Sequence, residues 1–411
     1  MQVIDKSFKF KLCPTAEMVI VFSQWAGNCR FLYNWGLSQR IKKWENEKQH
    51  LSYVSQAAFL KDLKQQAETN WLSISPAQTL QQTLRDLDQA FKNFFRRIKI
   101  GKTGKDVGFP KFKKKGRCTD SFRFPDPKQF SIRKVSHQKG IVTLPKVGAV
   151  KFNLSREIEG RIRNCTISKE GDHWFISFNC ETIIESKKAD ILRTDVGIDR
   201  GVVKTLTLSD ETCYNEKDLK LPTEKIKKLE KIASYFQSKL KLKQRFSRHW
   251  IFLQKKIAKI HRKIKRIRID WIHKITTKLA KNHSFVFLED LNVSNMSKSA
   301  AGTLDSPGCN VKVKSGLNRA ILRQGWFLFQ TVLEYKSKWH ESKVVYVSPR
   351  NSSRECSRCG HISAENRLSQ ESFLCQQCGL AMNADKNAAI NIFTRGQRGR
   401  VHGDTEVCSG R

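Results

Sequence analysis

The chain has 411 residues, with 77 Lys or Arg against 38 Asp or Glu and a formal charge of +39. That length excludes a single small module, because domains usually run to roughly 100 to 200 residues. Self-repulsion on this scale opposes compaction, so the composition calls for a polyanionic partner, nucleic acid first among them.

The alternation Phe8, Phe10, Leu12 reads as one strand. Residues 16 to 98 lose that period and carry helical patterns. The clearest runs from Pro76 to Arg97, where Leu80, Leu84, Leu87, Phe91 and Phe94 recur every three or four positions and Pro76 suits a first turn. Residues 96 to 117 hold ten Lys or Arg and one Asp, broken by glycines and a proline, and read as a basic loop. Short β-type runs return over 118 to 185, among them Gly140 to Thr143, Ala149 to Phe152 and Trp174 to Phe178, and a small barrel with the N-terminal strand would use them.

From about residue 190 an apolar strand ends in Val196-Gly197-Ile198-Asp199, and a second strand over Thr205 to Leu208 completes an expected hairpin. Residues 223 to 282 read as a helical hairpin, with Ile257, Ile260, Ile264, Ile267, Trp271, Ile275 and Leu279 on one stripe. It carries 20 Lys or Arg against 3 acids. A solvated charged face is the ordinary account of such a run, but the glutamates a self-sufficient surface helix would use are missing, which favours a phosphate-facing pair. Phe285 to Leu288 then reads as a buried parallel strand ending in Glu289, Ala320 to Lys338 as a helix, Val344 to Val347 as a strand and Ala384 to Arg395 as a short helix.

Cys356, Cys359, Cys375 and Cys378 form C-x2-C, fifteen intervening residues and C-x2-C, the spacing of a four-cysteine zinc ribbon. Gly360 and Gly379 follow the pairs and let each turn fold back on its sulfurs. Four thiolates close the shell of one Zn²⁺, so this site is expected to be structural, with His361 outside it. The other eight cysteines are scattered, which suits a reducing compartment. No run approaches ~18 apolar residues and the opening MQVIDKSFKFKL has no apolar signal core, so the chain is expected to be cytoplasmic, with no membrane partner.

Asp199 and Glu289 each end an apolar run, where a carboxylate is costly unless it meets a cation or a donor. Asp385 begins a short helix, where an acid also serves as an N-cap. Singly, each has an ordinary explanation. Together, a strand-end Asp at a hairpin, a strand-end Glu after helices and a helix-start Asp follow the order of an RNase H-like nuclease, whose acids converge on two Mg²⁺ ions about 4 Å apart. Neither a P-loop nor a G-x-S-x-G elbow occurs, which removes NTPase and serine-hydrolase readings.

Eight segments occur in order over nearly the whole chain: Arg30 to Asn34 (RFLYN), Leu84 to Phe95, Gly108 to Lys115 (GFPKFKKK), Val196 to Gly201 (VGIDRG), Phe287 to Val293 (FLEDLNV), Gly325 to Lys336, SS-x-x-C-x-x-CG from Ser352, and Asp385 to Ile392 (DKNAAINI). In them the chain resembles the TnpB (OrfB-type) proteins of insertion sequences, RNA-guided DNA nucleases related to type V CRISPR effectors. The resemblance implies an α/β multidomain chain. Its parts are a wedge-like β-barrel from residues 1–15 and 118–190, a helical recognition lobe with its basic loop over 16–117, an RNase H-like (RuvC) nuclease domain over 191–349 and 381–395, an inserted zinc ribbon over 350–380, and a basic disordered tail over 396–411. It implies Asp199, Glu289 and Asp385 as catalytic ligands of two Mg²⁺, although Asn383-Ala384-Asp385 stands where members often have Asp-Arg-Asp.

The same resemblance implies a guide RNA from the transposon end, double-stranded target DNA, one protein chain per RNA and a prokaryotic, nucleoid-associated setting. Base pairing would read the target while the protein reads a short flanking motif. Tyr53, Gln78 and Gln81 fall near the positions that read this motif in relatives, and Gln can pair with adenine edges; they are equally ordinary as surface polar residues. Lys111, Lys113, Lys114 and Lys115 are the expected phosphate contacts of the basic loop. Two alternatives are a DDE-type transposase, disfavoured by a ribbon just ahead of the third acid and by the basic loop, and a non-cutting RNA-guided DNA-binding regulator, which loss of an acid would mark.

Overall fold

The computed structural model describes residues 2–104, 107–184, 193–303 and 305–401. The chain divides into two compact units, Met1–Glu185 and Ser186–Arg411; the boundary expected at 190 lies outside the described residues.

The first unit opens with β1 (Gln2–Cys13), then α1 (Ala16–Glu47), α2 (Tyr53–Gln65) and α3 (Ala77–Lys99). Six strands follow: β2 (Ser121–Phe124), β3 (Ser131–Ser136), β4 (Lys139–Leu144), β5 (Gly148–Asn153), β6 (Arg161–Glu170) and β7 (His173–Ile184). All seven form one antiparallel sheet in the order β2-β6-β7-β1-β5-β4-β3. β1 is central because its alternation buries Phe8, Phe10 and Leu12; it pairs with β7 as far as Lys11↔Phe175 and passes to β5 at Leu12↔Phe152. Thr15 caps α1 by accepting from the Met18 N–H. Phe22 and Trp25 of α1 and Leu80 and Leu84 of α3 share a core with Phe122, Trp174 and Phe178, so helices and strands have one interior. The basic loop starts at Ile100 rather than at 96, since Arg96, Arg97 and Lys99 complete the last turn of α3, where cations suit the helix dipole.

The second unit contains β8 (Thr194–Asp199), β9 (Thr207–Leu208), α4 (Glu216–Leu219), α5 (Thr223–Lys241), α6 (Arg248–Asn282) and β10 (His283–Glu289). After these come α7 (Val293–Met296), α8 (Val311–Gln324), α9 (Trp326–Trp339), β11 (Lys343–Val347), β12 (Ser372–Leu374), β13 (Ala381–Asn383) and α10 (Ala384–Val401). Four strands form a sheet in the order β11-β10-β8-β9, with β10 parallel to both neighbours and β9 antiparallel to β8. Val196, Ile198, Val286 and Leu288 point to one face, against Ile272, Ile275 and Leu279 of α6 and Phe329, Val332 and Leu333 of α9.

α10 covers the opposite face. A Cβ on Gly197 would lie 2.4 Å from the Ala389 carbonyl oxygen and 2.5 Å from the Phe393 nitrogen, so the helix crosses β8 where the side chain is missing. Three expectations are corrected in this unit. The residues from Gly396 do not begin the tail, because α10 continues to Val401: Gly396 lies against the Phe287 ring, and Gln397 and Arg400 both bond Asp195, at 2.6 and 3.2 Å. Residues 402–411 lie outside the described residues. The helix expected over 320–338 is two helices, α8 and α9, separated by Gly325 at φ 71°. β9 is limited to Thr207–Leu208, because its partner strand β8 ends at Asp199, opposite Thr207.

Candidate active site and metal centre

Ile198 and Leu288 are register partners on adjacent parallel strands, so the residues that follow them, Asp199 and Glu289, stand side by side at the carboxyl ends of β8 and β10. Side chains alternate along a strand, which puts both carboxylates on the face of Gly197 and Phe287, the face that α10 covers. Asp385 lies in the first turn of α10, four residues ahead of the Ala389 that crosses Gly197. Three distant segments thus bring their acids together at strand ends, where open parallel sheets hold ligands.

Asn383 Oδ1 accepts from the N–H groups of Asp385 and Lys386, at 3.1 and 3.2 Å. The cap of α10 is therefore Asn383, and Asp385 is free of that duty. Glu289, only 7% exposed, accepts a 2.5 Å hydrogen bond on Oε1 from Ser352, whose carbonyl in turn accepts from Asn391 of α10. The buried Arg200 donates to the Glu289 carbonyl, and Arg367 Nη2 lies 3.7 Å from Asp385 Oδ1.

Burial, reinforced by the charges of Glu289 and Asp385, pushes the Asp199 carboxyl up to about 7, with Arg367 pulling the other way. Burial also raises Glu289 against Ser352, Arg200 and Arg395, and raises Asp385 against Arg367 and Lys204. A buried carboxyl raised by two neighbouring acids, as Asp199 is, is what a bound cation relieves. Among the described residues only the cysteines bring three or more ligand atoms within 4.8 Å of one another, so the acids are spread more widely.

A raised Asp makes the folded state hold more protons than the unfolded one between the two pKa values, so this group's effect is to lower stability as pH rises from about 4 to about 7. Asp199→Asn removes that penalty. In metal-free protein at pH 8 it should raise the unfolding temperature of the second unit by a few degrees, on the order of 2 kcal/mol after allowance for partial exposure, with no gain at pH 4. Calorimetry at the two pH values checks this, and an equal shift at both would rule out the charge as its cause.

The four cysteine sulfurs all lie within 4.8 Å of one another, with Cys356–Cys378 and Cys359–Cys375 each at 3.6 Å. Sulfurs bound tetrahedrally at ~2.3 Å from an ion stand about 3.8 Å apart, so the set fits zinc. The two turns are alike. Gly360 and Gly379 donate back to the Cys356 and Cys375 carbonyls from φ 76° and 69°, and the Cys356 and Cys375 N–H groups donate to His361 and Leu380. Three buried asparagines, not singled out in the sequence, fasten the ribbon. Asn366 joins its two turns through Arg354, His361 and Gln376, while Asn387 and Asn391, one turn apart on α10, both donate to the Glu355 carbonyl. The i, i+4 asparagines of DKNAAINI were the available signal.

In the first unit Gln78 and Gln81 are exposed on α3, and Arg85 continues that helical face. Arg85 donates to the Tyr53 hydroxyl at 3.1 Å and lies 5.3 Å from its ring centroid, so a fourth polar residue joins the three singled out from sequence. Lys111, Lys114 and Lys115 are exposed, but Lys113 turns inward. Its ammonium sits 3.8 Å from the Tyr33 ring centroid, its backbone N–H and carbonyl both pair with the Asn34 side chain, and burial lowers its pKa. RFLYN and GFPKFKKK thus hold each other.

Three family profiles match the chain: "Cas12f1-like, TNB domain" over residues 326–392, "Probable transposase" of the OrfB_IS605 type over 178–300, and the OrfB_IS605 "Helix-turn-helix domain" over 1–49, where the structure has β1 and the unbroken α1. The chain is 40% identical over 406 residues to the putative RNA-guided DNA endonuclease InsQ of Escherichia coli K12, covering 99% of this chain and 96% of the relative. A putative RNA-guided DNA endonuclease of Streptomyces pristinaespiralis is 28% identical, over 98% of this chain and 92% of its own. Among solved structures, the Cas12f1–sgRNA–target DNA complex aligns with a TM-score of 0.55 at 13% identity, over 95% of this chain and 98% of that one. The mini-RNA-guided endonuclease CRISPR-Cas_phi3 gives 0.57 at 10% identity, over 96% and 92%. At such identities the likeness is one of fold.

Proposed function

Because the chain belongs to the TnpB (OrfB, IS605-type) family, we propose that it is an RNA-guided DNA endonuclease of RuvC type that cuts next to a short transposon-associated motif. The observation that most supports the chemistry is geometric: Asp199 and Glu289 end adjacent parallel strands on the face that α10 covers, and Asp385 lies in the first turn of that helix. These three carboxylates would hold two Mg²⁺, which when bound stabilise the attacking and leaving oxygens of an in-line phosphodiester displacement. Ser352 fixes Oε1 of Glu289 and leaves Oε2 for a ligand, Arg200 anchors the backbone of the same residue, and Arg367 offsets charge at Asp385. The four cysteines hold one structural Zn²⁺.

Guide RNA pairs with one strand of double-stranded DNA, one chain per RNA, and Tyr53, Gln78, Gln81 and Arg85 read the flanking motif. Sequencing the RNA that co-purifies with the protein tests the reading. One discrete species ending in a variable guide is expected, and random cellular RNA would overturn it. Programmed cutting in Mg²⁺ separates the nuclease from its rivals: strand-transfer products would mark a transposase, and guided binding without cutting a regulator.

Replacing Lys111, Lys114 and Lys115 together by Ala should flatten the slope of log affinity against log salt by about 2, as three phosphate contacts are lost. Lys113→Ala should leave the slope unchanged, because its ammonium faces Tyr33. A slope unaffected by the triple change would make the loop a solubilising surface only.

A further inference from the structure

We propose that the tip of the α5–α6 hairpin is a base-stacking platform for an unpaired loop of RNA, an inference that rests on the nucleic-acid partner argued above. The carboxyl-terminal half of α6 is anchored by Ile264, Trp271, Ile272, Ile275 and Leu279 in the core of the second unit. Arg248, where α6 begins, stands 16 residues before Ile264, so the hairpin extends about 24 Å past that core. Along this stretch Ala233 of α5 and Leu253 and Ile257 of α6 are buried. At the tip the apolar surface is open: Tyr235 is 53% exposed, Leu242 84%, Phe246 69% and Phe252 54%.

Between Glu230 and Asp270 the sequence holds fourteen Lys or Arg and no acid. The cations stand over the rings, with Lys239 Nζ 4.6 Å from the Tyr235 centroid, Lys256 Nζ 4.4 Å from Phe252 and the Arg245 guanidinium 5.0 Å from Phe246. Phe246 and Trp250 have centroids 5.4 Å apart. Phe246 also adopts φ 68°, the left-handed region that a bulky residue avoids and that glycine occupies freely. Its exposed ring gains little packing within its own unit, so a strained, aromatic turn residue there points outward to a ligand.

Aromatic faces ringed by cations, in a stretch of sequence without an acid, match a polyanion with free π-faces. A duplex offers phosphates but hides its base faces, so the surface selects unpaired nucleotides. An apolar protein partner would leave the cations unmet. A DNA strand being cut must lie at Asp199, Glu289 and Asp385, at the end of the sheet, whereas the tip projects away from the core; the component held there is the RNA that stays bound.

The test uses the full chain with two probes of one sequence, an RNA hairpin closed by a uridine loop and the same stem as a blunt duplex. Wild-type protein should prefer the loop by at least about fivefold, the scale of one stacked base. Phe246→Gly combined with Phe252→Ser should erase the preference without changing the salt slope, since no phosphate contact is lost. Phe246→Gly relieves the backbone strain and Phe252 is an exposed position, so the unfolding temperature of the double variant should not fall, and lost preference at unchanged stability is not misfolding. Equal wild-type binding of both probes, or a preference that survives the double change, would each overturn the proposal. So would self-association of the wild type that the double change dissolves, which would make the tip an interface between copies. Wild-type protein that binds neither probe would instead sink the nucleic-acid reading beneath it.

Discussion

Asp385→Asn should reduce target cleavage by roughly a thousandfold or more while guided binding stays within about twofold. On the proposed function, binding is carried by the basic surfaces and by base pairing, neither of which needs the acids. Asn fills the same space, so the loss isolates the charge. The neighbouring position supplies the control: Asn383 caps α10, so Asn383→Ala should cost about 1 kcal/mol of stability with cutting retained. Gel shifts beside cleavage assays in Mg²⁺ read both effects. If Asp385→Asn still cuts near the wild-type rate, the metal site has been drawn from the wrong residues and the RuvC assignment falls.

Cys375→Ser should lower the zinc content from about one per chain to near zero and destabilise the second unit by several kcal/mol, because a closed thiolate shell contributes directly to folding. Cutting should disappear with it, for a traceable reason. The ribbon is tied to α10 by Asn387 and Asn391, and Ser352, immediately ahead of the first cysteine turn, holds the Glu289 carboxylate. Ser352→Ala separates the two roles. It should keep its zinc and lose no more than about 1 kcal/mol of stability, yet cut some 10- to 100-fold more slowly. The hydrogen bond from Ser352 holds the Glu289 pKa down, so its loss should also shift the acid limb of the pH–rate profile to higher pH. Unchanged unfolding together with normal cutting in Cys375→Ser would sink the structural role of the ribbon.

What the sequence made legible was whatever has a period or a fixed spacing. Phe8, Phe10 and Leu12 mark β1, and the cysteine pairs and their glycines mark the two turns of the ribbon. The acids could be ranked only as a set, because an Asp at a strand end or a helix start has ordinary uses. Asn366 stands alone and leaves no periodic trace, and the i, i+4 pair Asn387 and Asn391 reads equally as the polar face of a short helix, although all three are fully or nearly fully buried. Gly396 reads as a helix breaker, yet it is where the Phe287 ring approaches too closely for a Cβ. Lys113 reads as one more cation in a basic run, and only the fold supplies the Tyr33 ring that draws it inward. The strand order of the first unit was out of reach for the same reason, since it depends on pairings more than a hundred residues apart.

Those long pairings also set a timetable for the nascent chain. β1 must wait for β7, 164 residues downstream at the Lys11↔Phe175 pair, before its inner edge is satisfied. In the second unit Asp199 is followed by Glu289 after 90 residues and by Asp385 only after 186, on the helix that also seals the sheet at Gly197. At the usual pace of translation, the interval from the first acid to the third is roughly 10 to 40 s. Until α10 has left the ribosome no complete cluster of acids exists, so on the proposed function a half-made or prematurely terminated product would bind nucleic acid with no means of cutting it.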